Sequence, residues 1–146
     1  MPGWVTEGFS DYAKRLPKEC TLQLIEIPFA GKRDKHADLP KLAAKEAEHM
    51  LKHVAPQDHC IALEVTGKAY GTEHLATQLA NWQQAGRDVA LLVGGPEGLA
   101  PACLHRANQQ WSLSPLTLPH PLVRIVVAEQ LYRAWSILAN HPYHRG

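Results

Sequence analysis

An α/β domain built on a largely parallel sheet is the fold class this sequence predicts, and three observations carry the prediction. Short apolar runs at residues 22–27, 60–65 and 88–93 alternate with stretches whose apolar residues recur every three to four positions. The third run, Asp88-Val-Ala-Leu-Leu-Val93, is apolar almost throughout, as a strand covered on both faces must be. Glycines and prolines punctuate the boundaries, and strands separated by helix-length segments pair in parallel through crossovers.

The elements follow in order. Trp4, Val5, Phe9, Tyr12, Ala13 and Leu16 have helical spacing, and Pro17 stops that helix. Leu22-Gln-Leu-Ile-Glu-Ile27 reads as the first strand. Residues 28–38 form a polar, turn-rich loop expected to move without a ligand. A helix begins at Asp38 or Leu39, with Pro40 in its first turn, and runs to about Val54. Residues 60–65 form the second strand, closed by Thr66-Gly67, and the next helix runs from Thr72 to Gly86. After the strand at 88–93 and the turn Gly94-Gly-Pro-Glu-Gly98, a short helix over 101–108 leads to a strand at Trp111. A long helix from Leu122 to about Ala139 completes the fold.

Length and composition bound the function. At 146 residues and 45% hydrophobic content the chain makes one domain, 1–146, able to bury a core without staples. Cys20, Cys60 and Cys103 are odd in number and lack Cys-x-x-Cys spacing, which argues against a disulfide framework and for a reducing cytoplasm. No apolar run approaches the roughly 18 residues of a spanning helix, and no signal-peptide pattern opens the chain. The expectation is a cytoplasmic protein with no membrane partner.

The net charge of +1 decides nothing, but its distribution is uneven. Lys14, Arg15, Lys18, Lys32, Arg33 and Lys35 form one cluster. Arg124, Arg133 and Arg145 form a second with His120, His141 and His144. Either could neutralise phosphates if the fold gathers it on one face, and either could equally be a solvated surface. His49 and His53 share a helix face, but no carboxylate or cysteine is placed to complete a site, so no metal is expected.

Trp111-Ser-Leu-Ser-Pro-Leu-Thr-Leu-Pro-His-Pro-Leu-Val-Arg124 is the stretch with the richest chemistry. It offers apolar walls, hydroxyls and backbone amides to a flat, partly polar ligand, and Pro119 and Pro121 hold His120 at a helix mouth. The Gly94–Gly98 turn is no phosphate loop, since it lacks the Lys and Ser/Thr that would reach phosphates and metal, and it does not match Gly-x-Gly-x-x-Gly. It serves either a tight turn or close ligand approach. Ligands of open α/β sheets bind beyond the carboxyl ends of strands, so residues 63–67, 94–98 and 113–120 can converge on one pocket. The last helix is apolar on nearly every side, which predicts burial all round and a homodimer; Glu129 and Arg133 stand at i,i+4 spacing on it. The tail Asn140-His-Pro-Tyr-His-Arg-Gly146 concentrates proton-transfer, stacking and phosphate-binding groups.

Four motifs, Leu91-Leu-Val-Gly-Gly-Pro-Glu-Gly-Leu99, Leu116-Thr-Leu-Pro-His-Pro-Leu-Val-Arg124, Ala128-Glu-Gln-Leu-Tyr-Arg-Ala-Trp135 and His141-Pro-Tyr-His-Arg145, carry a resemblance. Over essentially its whole length the chain resembles the bacterial ribosomal large-subunit pseudouridine N3-methyltransferases, the small single-domain branch of the SPOUT methyltransferases. The resemblance implies a C-terminal trefoil knot, an S-adenosylmethionine site within it, a homodimer, and 23S rRNA, within the assembled ribosome, as substrate. By motif, cofactor contacts fall on Leu63, Gly94, Leu113, Ser114, Pro115, Leu116, Thr117 and Leu118. Catalytic contacts fall on His120, Arg124, Tyr143, His144 and Arg145, the tail coming from the other subunit; His120 or His144 would be the base. Two alternatives stand beside this, a SPOUT enzyme for another RNA and a non-catalytic ribosome-binding protein. The resemblance also exposes a departure. Family members open with a hydrophobic strand before the first helix, whereas this chain opens Met1-Pro-Gly-Trp4: either the start is an internal methionine or the sheet lacks a strand, and a strand truly absent would leave neighbouring strand edges unpaired.

Overall fold

A computed structural model describes residues 2–28, 30–31, 34–95 and 98–145. Its centre is β1, His59–Ala69, which pairs in parallel with β2, Val89–Leu92, on one side and β3, Gln109–Ser112, on the other. Cys60, Ile61 and Ala62 of β1 are completely buried in succession, because helices cover both faces of the sheet. Alternation along the strand assigns them to two cores. Ile61 packs with Trp111 and with the apolar faces of α3, Thr72–Ala85, and α5, His120–Leu138. Cys60 packs with Leu92, with Ala47 of α2, Leu39–Leu51, and with Cys103 of α4, Pro101–Arg106. On the Ile61 side α1, Gly3–Ala13, lies against α5 with Val5 and Phe9 buried.

The ends of these helices have local causes. Asp38 caps α2, accepting a hydrogen bond from the Lys41 amide at 3.2 Å, with Pro40 in the first turn. Gly86 ends α3 in the left-handed region at φ 72°, where a side chain would be strained. Asn140 does the same after α5 at φ 55°, and the chain then winds into a 3₁₀ turn, Pro142–Arg145.

Three sequence expectations need correction. Residues 22–27 form no strand: Ile25 is 47% exposed, and a groove of about 1150 Å³ lies between this segment and the outer edge of β2. A strand exists only where a neighbour completes its ladder, and none of the described residues fills that groove. β1 continues past Gly67 to Ala69, because its pairing with β3 resumes there: Leu63 and Lys68 both stand opposite Trp111, and residues between them bulge out. Gly67 makes the resumption possible, since a Cβ there would lie 2.8 Å from the Trp111 amide nitrogen. Finally, α5 starts at His120, two residues earlier than its apolar pattern; in a single copy of the chain its Leu122 and Leu138 are 42% and 43% exposed.

Candidate functional site

The carboxyl ends of the three strands open onto one cavity of about 570 Å³. Leu63 with the bulged Glu64 and Val65 forms one wall, Val93 to Gly95 with Gly98 and Leu99 a second, and Trp111, Leu113, Ser114 and residues 116–118 a third. His120, Pro121 and Val123 at the start of α5 close it. The volume lies within the roughly 300–1,000 Å³ typical of small-molecule sites.

Each wall is held by its own local chemistry. At Gly94 a Cβ would stand 2.6 Å from the Gly98 carbonyl carbon and 2.8 Å from the Leu99 nitrogen, so the turn itself demands glycine. Gly98 takes φ 77°, and its amide donates to the Gly95 carbonyl at 3.0 Å. Pro96 and Glu97 of this motif lie outside the described residues. In the third wall the hydroxyls serve the loop: Ser112 donates to the Ser114 carbonyl at 3.0 Å, and the Ser114 hydroxyl accepts from the Leu116 amide at 2.9 Å. This Ser114 turn pushes Leu116 out to the rim, where it is 71% exposed.

Of the residues expected to hold a cofactor, Leu63, Gly94, Leu113, Ser114, Leu116, Thr117 and Leu118 line this cavity, and Pro115 does not. The expected catalytic residues separate. His120 lines both this cavity and the larger groove beside β2, whereas Arg124 lines only the groove. Burial, then the neighbouring Arg124 charge, lowers the His120 pKa from its ordinary 6.5, against a smaller upward pull from Glu26. Glu26 itself pairs with Arg124 at 3.6 Å. Sequence reading passed over Glu26 because it sat inside an apparent strand.

Tyr143, His144 and Arg145 line neither cavity. They fold back onto α5. The Tyr143 hydroxyl donates to Glu129 Oε2 at 2.9 Å, and Arg133 donates to the same oxygen through Nε at 3.0 Å. The Tyr143 ring lies 4.5 Å from that of Tyr132, and the His144 ring nitrogen is 3.4 Å from the Ser136 hydroxyl. Burial and the Glu129 bond raise the Tyr143 pKa, so the hydroxyl keeps its proton. Arg15 of the first basic cluster also reaches this site, its guanidinium 5.6 Å from the Tyr132 ring and 6.0 Å from Tyr143. Arg15 thus shares a face with the tail; Lys32 and Arg33 lie outside the described residues.

Residues 1–144 match the family described as "Predicted SPOUT methyltransferase". The chain belongs to the SPOUT methyltransferase family. It is also 59% identical over 145 residues to a protein of Hahella chejuensis named ribosomal RNA large subunit methyltransferase H, an alignment that covers 99% of this chain and 92% of that relative. This SPOUT methyltransferase has the parallel sheet and covering helices that its sequence predicted. Among its described residues no helix is long and apolar enough to cross a membrane.

Proposed function

We propose that this chain is a cytoplasmic S-adenosylmethionine-dependent methyltransferase that modifies N3 of a pseudouridine in large-subunit ribosomal RNA, as a homodimer acting on the assembled ribosome. The observation that carries the cofactor assignment is the meeting of three separate strand ends, at Leu63, at Gly94 and at Leu113, Ser114 and residues 116–118, around one cavity. The RNA assignment rests on the name of the Hahella relative and on the whole-chain resemblance.

The cavity fits the cofactor by shape and chemistry. Leu63, Leu113, Leu118 and Val93 offer apolar surface to an adenine ring, and the close-packed backbone at Gly94 gives an edge without side-chain obstruction. When bound, S-adenosylmethionine supplies a methyl group already activated by the sulfonium. What the protein must add is orientation of the base and removal of one proton. His120 borders the cavity with a lowered pKa, so it is neutral at pH 7 and can accept the N3 proton. Arg124 and Arg145 would bind phosphate or the developing oxyanion.

The tail's position supports a shared active site. In its own subunit it is docked on α5 away from the cavity, so Tyr143, His144 and Arg145 would serve the cavity of the other copy. The exposed Leu122 and Leu138 on α5 supply apolar surface for that dimer.

Ribosomes lacking the modification, incubated with the protein and methyl-labelled S-adenosylmethionine and digested to nucleosides, test this reading. Label in N3-methylpseudouridine of large-subunit rRNA is expected. Label confined to another RNA would leave a methyltransferase with a different substrate, and no label in any RNA would overturn the enzymatic reading.

A further inference from the structure

Glu26 belongs to no helix or strand, yet it makes a charged contact at the start of α5. Its Oε1 stands 3.6 Å from Arg124 Nη1. The two ends of the pair differ: the Arg124 side chain is 16% exposed and that of Glu26 is 51% exposed. A pair between two exposed ends would contribute little, but a mostly buried cation needs a counter-charge.

The helix terminus increases that need. The first turn of α5 contains no acidic residue, and its N-cap, Pro119, provides no side-chain bond. The positive end of the helix dipole disfavours a cation nearby. Glu26 reaches across from the 22–27 segment and places a negative charge beside Arg124. His120, one turn before Arg124, lies on the same side of the helix and borders both the cofactor-sized cavity and the groove containing Glu26.

We propose that Glu26 is a positioning residue for methyl transfer: its carboxylate holds the Arg124 guanidinium against the first turns of α5, which fixes His120 and Arg124 for the incoming base. The proposal rests on the assignment of those two residues to the reaction. The competing reading is that Glu26 merely occupies Arg124 until an RNA phosphate displaces it.

The test uses the full-length protein and the variants Glu26→Gln and Glu26→Asp. Steady-state methylation of ribosomes by Glu26→Gln is expected to show kcat reduced about tenfold, with KM for ribosomes and the dissociation constant for S-adenosylhomocysteine within about twofold of the parent. Glu26→Asp should recover most of kcat, since it keeps the charge. An unchanged kcat would overturn the proposal, and so would a lower KM for ribosomes at constant kcat, the signature of a carboxylate that only competes with phosphate. Loss of S-adenosylhomocysteine binding in step with turnover would overturn it too, by showing a deformed cavity.

A second measurement needs no activity, and so separates failure of this proposal from failure of the functional reading. The charged groups acting on His120 are Arg124 on its own helix and Glu26 opposite, while Glu64 of β1, Glu46 of α2, and His53, Asp58 and Asp88 line the cavities it borders. An NMR titration of the His120 ring should show a lower pKa in Glu26→Gln than in the parent. No shift would overturn the proposal even if the parent methylates no RNA.

Discussion

The Tyr143 hydroxyl donates to Glu129 at 2.9 Å, and this bond joins the last turn of the chain to the middle of its longest helix. Arg133 completes the arrangement from the next turn of α5, donating to the same carboxylate and standing 5.0 Å from the Tyr143 ring centre. A tail rich in functional groups is thereby held in one direction, which a frayed terminus could not achieve. In the proposed dimer that direction is toward the partner's cavity.

Tyr143→Phe removes the hydroxyl and leaves the ring tilted against Tyr132. The lost bond to a carboxylate, half-buried, corresponds to about 1–2 kcal/mol. Hydrogen exchange should accelerate at residues 141–145 and methylation should slow several-fold, while S-adenosylhomocysteine affinity stays unchanged. Equal loss of affinity would show that the tail's anchorage supports cofactor binding and not the RNA step alone.

His120 gives a pH dependence whose sign follows from its lowered pKa. The unfolded chain takes up the proton near pH 6.5 and the folded chain only at lower pH. Stability therefore falls as pH drops from 6.5 toward the folded pKa, and is fully regained above 6.5. Thermal unfolding of the parent should show this acid-side loss and His120→Ala should reduce it. The acid limb of the methylation rate should likewise lie below pH 6.5 and disappear in that variant; a limb above 6.5 would remove His120 as the base.

Gly94→Ala should destabilise the protein as a whole. The added Cβ meets backbone atoms of Gly98 and Leu99 at 2.6–2.9 Å, and backbone cannot swing aside as a side-chain tip can. A drop of several degrees in melting temperature is expected, on the order of 1–3 kcal/mol, together with weaker cofactor binding. An unchanged melting temperature would show that the turn relaxes freely.

Much of this architecture was legible from local pattern. The apolar run Val89–Leu92, the cap Asp38 and the stop at Gly86 each express a constraint contained within a few residues, and each falls within a residue or two of its predicted place. The convergence of Leu63, Gly94, Leu113, Ser114 and residues 116–118 was also legible, because strand ends in a parallel sheet share one edge. Leu22–Ile27 misled because alternation reports what a segment can bury, whereas a strand also needs a neighbour to bond. Pro115 had the right sequence position, but in the Ser114 turn it is exposed and does not line the cavity. Glu129 as the anchor of Tyr143 and Glu26 as the partner of Arg124 connect segments 14 and 98 residues apart, and no sequence spacing encodes such contacts.

The most direct measurement is a calorimetric titration of the purified protein with S-adenosylhomocysteine, repeated with Thr117→Trp. Thr117 is exposed at the cavity wall, so an indole there fills the site without entering the core. Saturable binding at one site per subunit is expected of the parent, and loss of about 100-fold or more in affinity of the variant at an unchanged melting temperature. Equal binding by both proteins would place the cofactor elsewhere, and no binding by the folded parent would contradict the central claim.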